Sequence, residues 1–112
     1  MAHPLTSKVE EKVKSSPVVI FMKGTPQFPQ CGFSARACQV LRQAGATNLV
    51  GVDVLADDPL WDALEDFTRW PTVPQIFIHG KFVGGCDIVS EMYERGELQD
   101  LLKEPDGTSD RK

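Results

Sequence analysis

The chain has 112 residues, the length of one small domain, since a single core usually occupies about 100–200 residues. Hydrophobic residues make up 41% and charged residues 25%, and 16 acidic against 12 basic side chains leave a formal charge of −4. That balance provides no basic stripe for nucleic acid, and the longest apolar run, Val18 to Met22, falls far short of the roughly 20 residues that cross a bilayer.

The N-terminus lacks the basic-then-apolar layout of a secretion signal. Three cysteines form an odd set with no paired framework, which argues for a reducing compartment and requires each thiol to be explained singly. Ser7 followed by Glu10 reads as a capping box, and Val9 with Val13 predicts a short helix ending before Pro17. Val18 to Met22 is β-branched or apolar without alternation, the signature of a central strand covered on both faces. Gly24 to Gln30 holds a glycine and two prolines, which predicts a stiff loop leading to Cys31. From Phe33 the apolar residues Ala37, Val40, Leu41 and Ala44 recur at helical spacing until Gly45, so Cys31 falls at a helix N-terminus.

Leu49 to Leu55 predicts a second strand, and Asp57-Asp58-Pro59 a helix start running to about Thr68. Gln75 to Ile78 and Lys81 to Val83, on either side of His79-Gly80, predict a β-hairpin. Gly84-Gly85 ends it, Cys86-Asp87 opens a helix with Ile88, Met92 and Val89 as inward candidates, and Gly96 closes that helix. A last turn spans Leu98 to Leu102, so residues 1–103 read as one domain and 104–112 as a frayed tail. The order α-β-α-β-α-β-β-α-α implies a four-stranded mixed sheet with helices on both faces.

A thiol at a helix N-terminus faces unpaired N–H groups and the positive end of the helix dipole, which favour the thiolate. Lys23, at the end of the first strand, adds a second positive influence, and Pro29 and Gly32 keep Cys31 outside the core. The competing reading is that most cysteines are buried and inert. Position 34, where a dithiol enzyme would carry its second cysteine, is Ser34. Cys38 cannot replace it, because seven residues along a helix is about 10.5 Å, beyond the roughly 7 Å limit for a disulfide. Cys38 reads as core filler, and Cys86 as either a second low-pKa thiol or a point of close backbone approach. His3, His79 and the cysteine spacing fit no zinc site.

Lys23-Gly24-Thr25-Pro26, Cys31-Gly32-Phe33-Ser34, Trp70-Pro71-Thr72-Val73-Pro74-Gln75 and Gly84-Gly85-Cys86-Asp87 together resemble the monothiol glutaredoxin family, the single-domain CGFS type, over about residues 5–103. The resemblance implies a thioredoxin-like (glutaredoxin) α/β fold with a cis proline at Pro74 and the Val73 backbone opposite the thiol. It also implies a glutathione site: Lys23 for the glycine carboxylate, the Val73 backbone for the cysteinyl moiety, the helix opening with Cys86 for the γ-glutamyl carboxylate, and Asp87 for its ammonium. Asp87 is equally a helix cap, and the two roles coexist. Phe33 and Thr72 belong to the same implied site. Where several relatives carry an arginine for the glycine carboxylate this chain has Trp61, and Glu65 stands where a basic residue is frequent. Arg69 is a candidate substitute, or a solvated surface charge.

A [2Fe–2S] centre needs four ligands besides its sulfides, and one reactive cysteine supplies one. The resemblance implies that Cys31 from each of two subunits and two glutathione thiolates complete the set. The leading expectation is thus a cluster-bridged homodimer acting as carrier in iron–sulfur protein maturation, with BolA-like proteins and apo iron–sulfur proteins as partners. The first alternative is enzymatic, a glutathione-dependent oxidoreductase in which Cys31 attacks glutathionylated proteins and glutathione or Cys86 resolves the mixed disulfide. The second is a redox sensor pairing Cys31 with Cys86. The lack of an Arg-rich leader favours bacterial-type cytoplasm, with the mitochondrial matrix as the alternative.

Overall fold

Five consecutive apolar residues, Val18–Met22, form strand β1, and all five are buried because helices cover both faces of the sheet to which it belongs. The computed structural model describes residues 5–103. Around β1 the chain order is α1 (Thr6–Val13), β1, α2 (Gly32–Gln43), β2 (Leu49–Asp53), a 3-10 turn (Val54–Ala56) and α3 (Asp58–Thr68). The remainder comprises β3 (Gln75–Ile78), β4 (Lys81–Gly84), α4 (Cys86–Glu94) and α5 (Glu97–Lys103). The expected tail over 104–112 and His3 lie outside the described residues.

The sheet order is β2-β1-β3-β4, with β1 parallel to β2 and antiparallel to β3, and β3 antiparallel to β4. Alternation along the central strands sends side chains to two separate cores. Val18, Ile20 and Met22 of β1 join Ile76 and Ile78 of β3 beneath α2, α4 and α5. Val19 and Phe21 join Phe77 beneath α1 and α3, where the Phe21 and Phe77 rings meet nearly edge to face at 5.6 Å. At the hairpin, His79 and Gly80 both take positive φ (54° and 81°), the two-residue geometry that suits strand twist. The His79 N–H donates to the Pro17 carbonyl at 2.7 Å and its Nε2 lies 3.0 Å from the Leu101 carbonyl, tying the turn to the start of β1 and to α5.

Three local expectations change. Ser7 is not a cap: Leu5 occupies that position, and its carbonyl already accepts from the Lys8 and Val9 amides, so the backbone alone closes the first turn. The strand expected to reach Leu55 ends at Asp53, whose Oδ1 accepts from the Leu55 N–H at 2.9 Å and bends the chain into the 3-10 turn. Ile88, expected inward, is 39% exposed while Val89 is fully buried. Ile88 lies over the Gly84 backbone, where an added Cβ would meet its Cβ at 2.8 Å.

Candidate functional site

Cys31 is the N-cap residue of α2, in extended conformation and partly exposed, at the end of the proline loop. That loop is held by more than its prolines. Gly24, at φ 88°, donates its N–H to Asp53 Oδ1 at 3.0 Å, and the Gln30 N–H donates to the Lys23 carbonyl at 2.8 Å. Pro26 packs onto β2 at Gly51, where an added Cβ would lie only 2.3 Å from the proline Cδ. The first turn of α2 then determines the ionisation of the thiol. The Ser34 N–H is the strongest influence lowering the Cys31 pKa; partial burial opposes it, and the Phe33 N–H, the Ser34 hydroxyl and the Lys23 charge add to the lowering in that order. Ser34 is fully buried and also receives the Lys23 N–H at 3.3 Å. Where a dithiol protein would have a sulfur, this chain has a hydroxyl serving the first one.

The other two thiols are pushed upward by burial, Cys38 in the α2 core and Cys86 at the start of α4, where the Asp87 charge adds to the effect. The alternative of Cys86 as a second low-pKa thiol is therefore corrected: the close approach is made by its neighbour Gly85, where a Cβ would stand 3.3 Å from the Pro74 carbonyl oxygen. The Val73–Pro74 bond is cis. The loop that carries it is fastened from inside by Gln75, fully buried, whose Nε2 donates to the carbonyls of Trp70 (2.8 Å) and Thr72 (3.0 Å). Trp70 in turn packs against Phe82 with ring centroids 5.7 Å apart.

Between these segments opens a cavity of about 430 Å³, within the size range of small-molecule sites. It gathers Lys23, Cys31, Phe33, Thr72, Val73, Pro74, Cys86 and Asp87, every sequence-predicted site residue except Arg69. Arg69 is instead the exposed left-handed C-cap of α3 (φ 61°), where its N–H donates to the Glu65 carbonyl at 2.7 Å. Trp61, Trp70, Pro71, Gly85 and Ile88 complete the walls, and the Lys23 ammonium stands 5.8 Å from the centroid of the Trp61 ring. Phe33, 64% exposed, flanks the thiol on the open side. Ser34, Asp53 and Gln75 are supporting residues whose roles sequence reasoning missed; membership of a recognised motif was the available signal for Ser34 and Gln75, and Asp53 offered none.

A three-layer α/β/α sandwich with one accessible, acidified thiol at a helix N-terminus, facing a cis-proline loop, defines a thioredoxin-like thiol protein. The chain belongs to the glutaredoxin family, whose model matches residues 18–83, and Cys31-Gly32-Phe33-Ser34 places it in the monothiol branch. It is 47% identical over 98 residues to the mitochondrial monothiol glutaredoxin-5 of Schizosaccharomyces pombe, covering 86% of this chain and 67% of that protein. It is 45% identical to glutaredoxin 4 of Escherichia coli K12, covering 87% and 84% respectively. The crystal structure of a buckwheat glutaredoxin–glutathione complex matches with a TM-score of 0.76 at 33% identity, covering 87% of this chain and 86% of that one.

Proposed function

We propose that the chain binds glutathione in this cavity and, as a pair of protomers, carries a [2Fe–2S] cluster as cargo for apo iron–sulfur proteins. The observation that carries the reading is the lone acidified Cys31 at the mouth of a cavity lined by a cation, Lys23, and a carboxylate, Asp87. Glutathione has matching groups. Lys23 pairs with its glycine carboxylate, the Val73 backbone hydrogen-bonds its cysteinyl portion as an added strand would, and Asp87 takes the γ-glutamyl ammonium. The N–H groups opening α4 at Cys86 take the γ-glutamyl carboxylate. Phe33 and Thr72 bound the thiol's approach. The solved glutaredoxin–glutathione complex supports this reading.

The donor chemistry fits the cargo. Each protomer offers Cys31 as one thiolate, and no group of three or more His, Cys, Asp or Glu side chains suited to a metal occurs among the described residues. Four thiolates are reached with two Cys31 and two glutathione molecules across a two-fold axis, so the dimer depends on the cargo, and exchange of glutathione releases it. BolA-like proteins and apo-acceptors are the proposed partners. The relatives come from a bacterium and from mitochondria, which supports a bacterial-type cytoplasmic location with the mitochondrial matrix as alternative. Anaerobic reconstitution with iron, sulfide and glutathione should give a coloured dimer by absorbance and native mass; full cluster occupancy in Cys31→Ser would overturn the assignment.

The low Cys31 pKa also favours a second reading as a glutathione-dependent oxidoreductase. The Cys31 thiolate attacks the glutathione sulfur of a protein mixed disulfide, releasing the protein thiolate, and a second glutathione thiolate then releases Cys31 and leaves as glutathione disulfide. Rapid turnover by the cluster-free protein would promote this reading above the first.

A further inference from the structure

Trp61 occupies the wall beside the only ammonium of the cavity, and its neighbours are acidic. Among the described residues that line the cavity, Lys23 is the one cation and Asp87 the one carboxylate. Trp61 is half-buried, anchored against the core beneath α1 and α3, and its indole N–H is buried without a hydrogen-bond partner. What the ring offers Lys23 is therefore its π face, at 5.8 Å from the ammonium. The same helix, α3, carries Asp58, Asp62, Glu65 and Asp66 and no lysine or arginine. A free carboxylate arriving at Lys23 meets one cation already shared with an aromatic face, from a helix whose charged residues are all acidic.

We infer that Trp61 is a specificity-determining residue that relaxes the site's demand for a free glycine carboxylate, so that it accepts glutathione derivatives whose glycyl end is masked as an ester or amide. The inference rests on the glutathione reading above. A single partly solvated ammonium contributes little to discrimination, whereas a planar guanidinium at position 61 would grip a carboxylate through two parallel hydrogen bonds. The flat indole instead favours the methylenes of a capped terminus.

The test is a titration of the reduced 112-residue chain with glutathione and with its glycyl monoethyl ester, followed by backbone amide chemical shifts at Val73 and Asp87. The two dissociation constants should agree within about fivefold, the span of an exposed ion pair. Trp61→Phe should keep that ratio, and Trp61→Arg should raise the preference for the free acid by about tenfold or more. A wild-type preference for the free acid of about tenfold or more overturns the inference, as does a ratio unmoved in Trp61→Arg. The wild-type ratio decides alone if Trp61→Arg does not fold. Binding of neither compound would sink the glutathione reading itself, whereas binding without the expected ratios sinks only the role of Trp61.

Discussion

The contribution of Ser34 to the reactive thiol can be isolated by Ser34→Ala. The side chain is fully buried, its Oγ accepts the Lys23 N–H at 3.3 Å, and its hydroxyl is one of the groups that favour the Cys31 thiolate. Alanine removes one O–H donor while leaving the two stronger or comparable N–H donors of Ser34 and Phe33 in the α2 backbone. A net hydrogen bond is worth about 0.5–1.5 kcal/mol, and partial exposure of Cys31 puts the lower half of that range in play. The thiolate-to-thiol ratio below the ionisation midpoint should therefore fall about two- to fivefold, and alkylation by iodoacetamide should slow by the same factor. Well above the midpoint the two proteins should react alike. Thiolate ultraviolet absorbance against pH checks the same shift directly. A titration curve that stays in place or moves to lower pH would refute the idea that the hydroxyl donates to the sulfur.

Cys31→Ser should steepen the loss of stability at alkaline pH. A lowered folded pKa adds stability above the unfolded value, near pH 8.5, and that gain disappears as pH falls through the folded value; the raised pKa values of Cys38 and Cys86 act oppositely, costing stability as pH rises. Urea unfolding of both proteins across that range measures the difference, and parallel curves would contradict it. Arg69→Gly relieves a left-handed backbone at the end of α3 (φ 61°) and should stabilise by about 1 kcal/mol in thermal melts, with glutathione affinity unchanged because Arg69 does not line the cavity. A marked loss of affinity would restore Arg69 as a carboxylate ligand. Gly51→Ala forces Pro26 or β2 to move, since the new Cβ would lie 2.3 Å from the Pro26 Cδ, and should cost about 1–3 kcal/mol in denaturant and alter Cys31 alkylation. An unchanged rate would separate the Pro26 contact from the thiol's environment.

Element order and type were legible because β1, α2 and α3 carry strong local signals: an unbroken apolar run, helical spacing, and Asp57 before Pro59. Cys31 was legible for the same reason, since a cap position is a local property. What escaped were effects that need tertiary neighbours. Asp53 looked like one more strand residue, yet it ends β2 and holds Gly24, twenty-nine positions earlier in the chain. Gln75 closed a visible motif but showed its role only when the fold buried it with its amide nitrogen on the Trp70 and Thr72 carbonyls. Cys86 resembled Cys31 by position, each opening a helix, and differs because burial raises its pKa and no backbone N–H of the helix opening lowers it as at Cys31. Periodicity put Ile88 inward with Val89 a further candidate, whereas the fold buries Val89 and lays Ile88 over the Gly84 backbone.

Pro26 resting on Gly51 and Asp53 holding Gly24 mean that the hoop bearing the sulfur is bolted to an outer plank of the sheet rather than cantilevered from the helix it introduces. The opposite wall, by contrast, hangs from Gln75 and the Gly85 notch. With the two jaws anchored independently, a change confined to the cis-proline-bearing jaw leaves the nucleophile's footing in place.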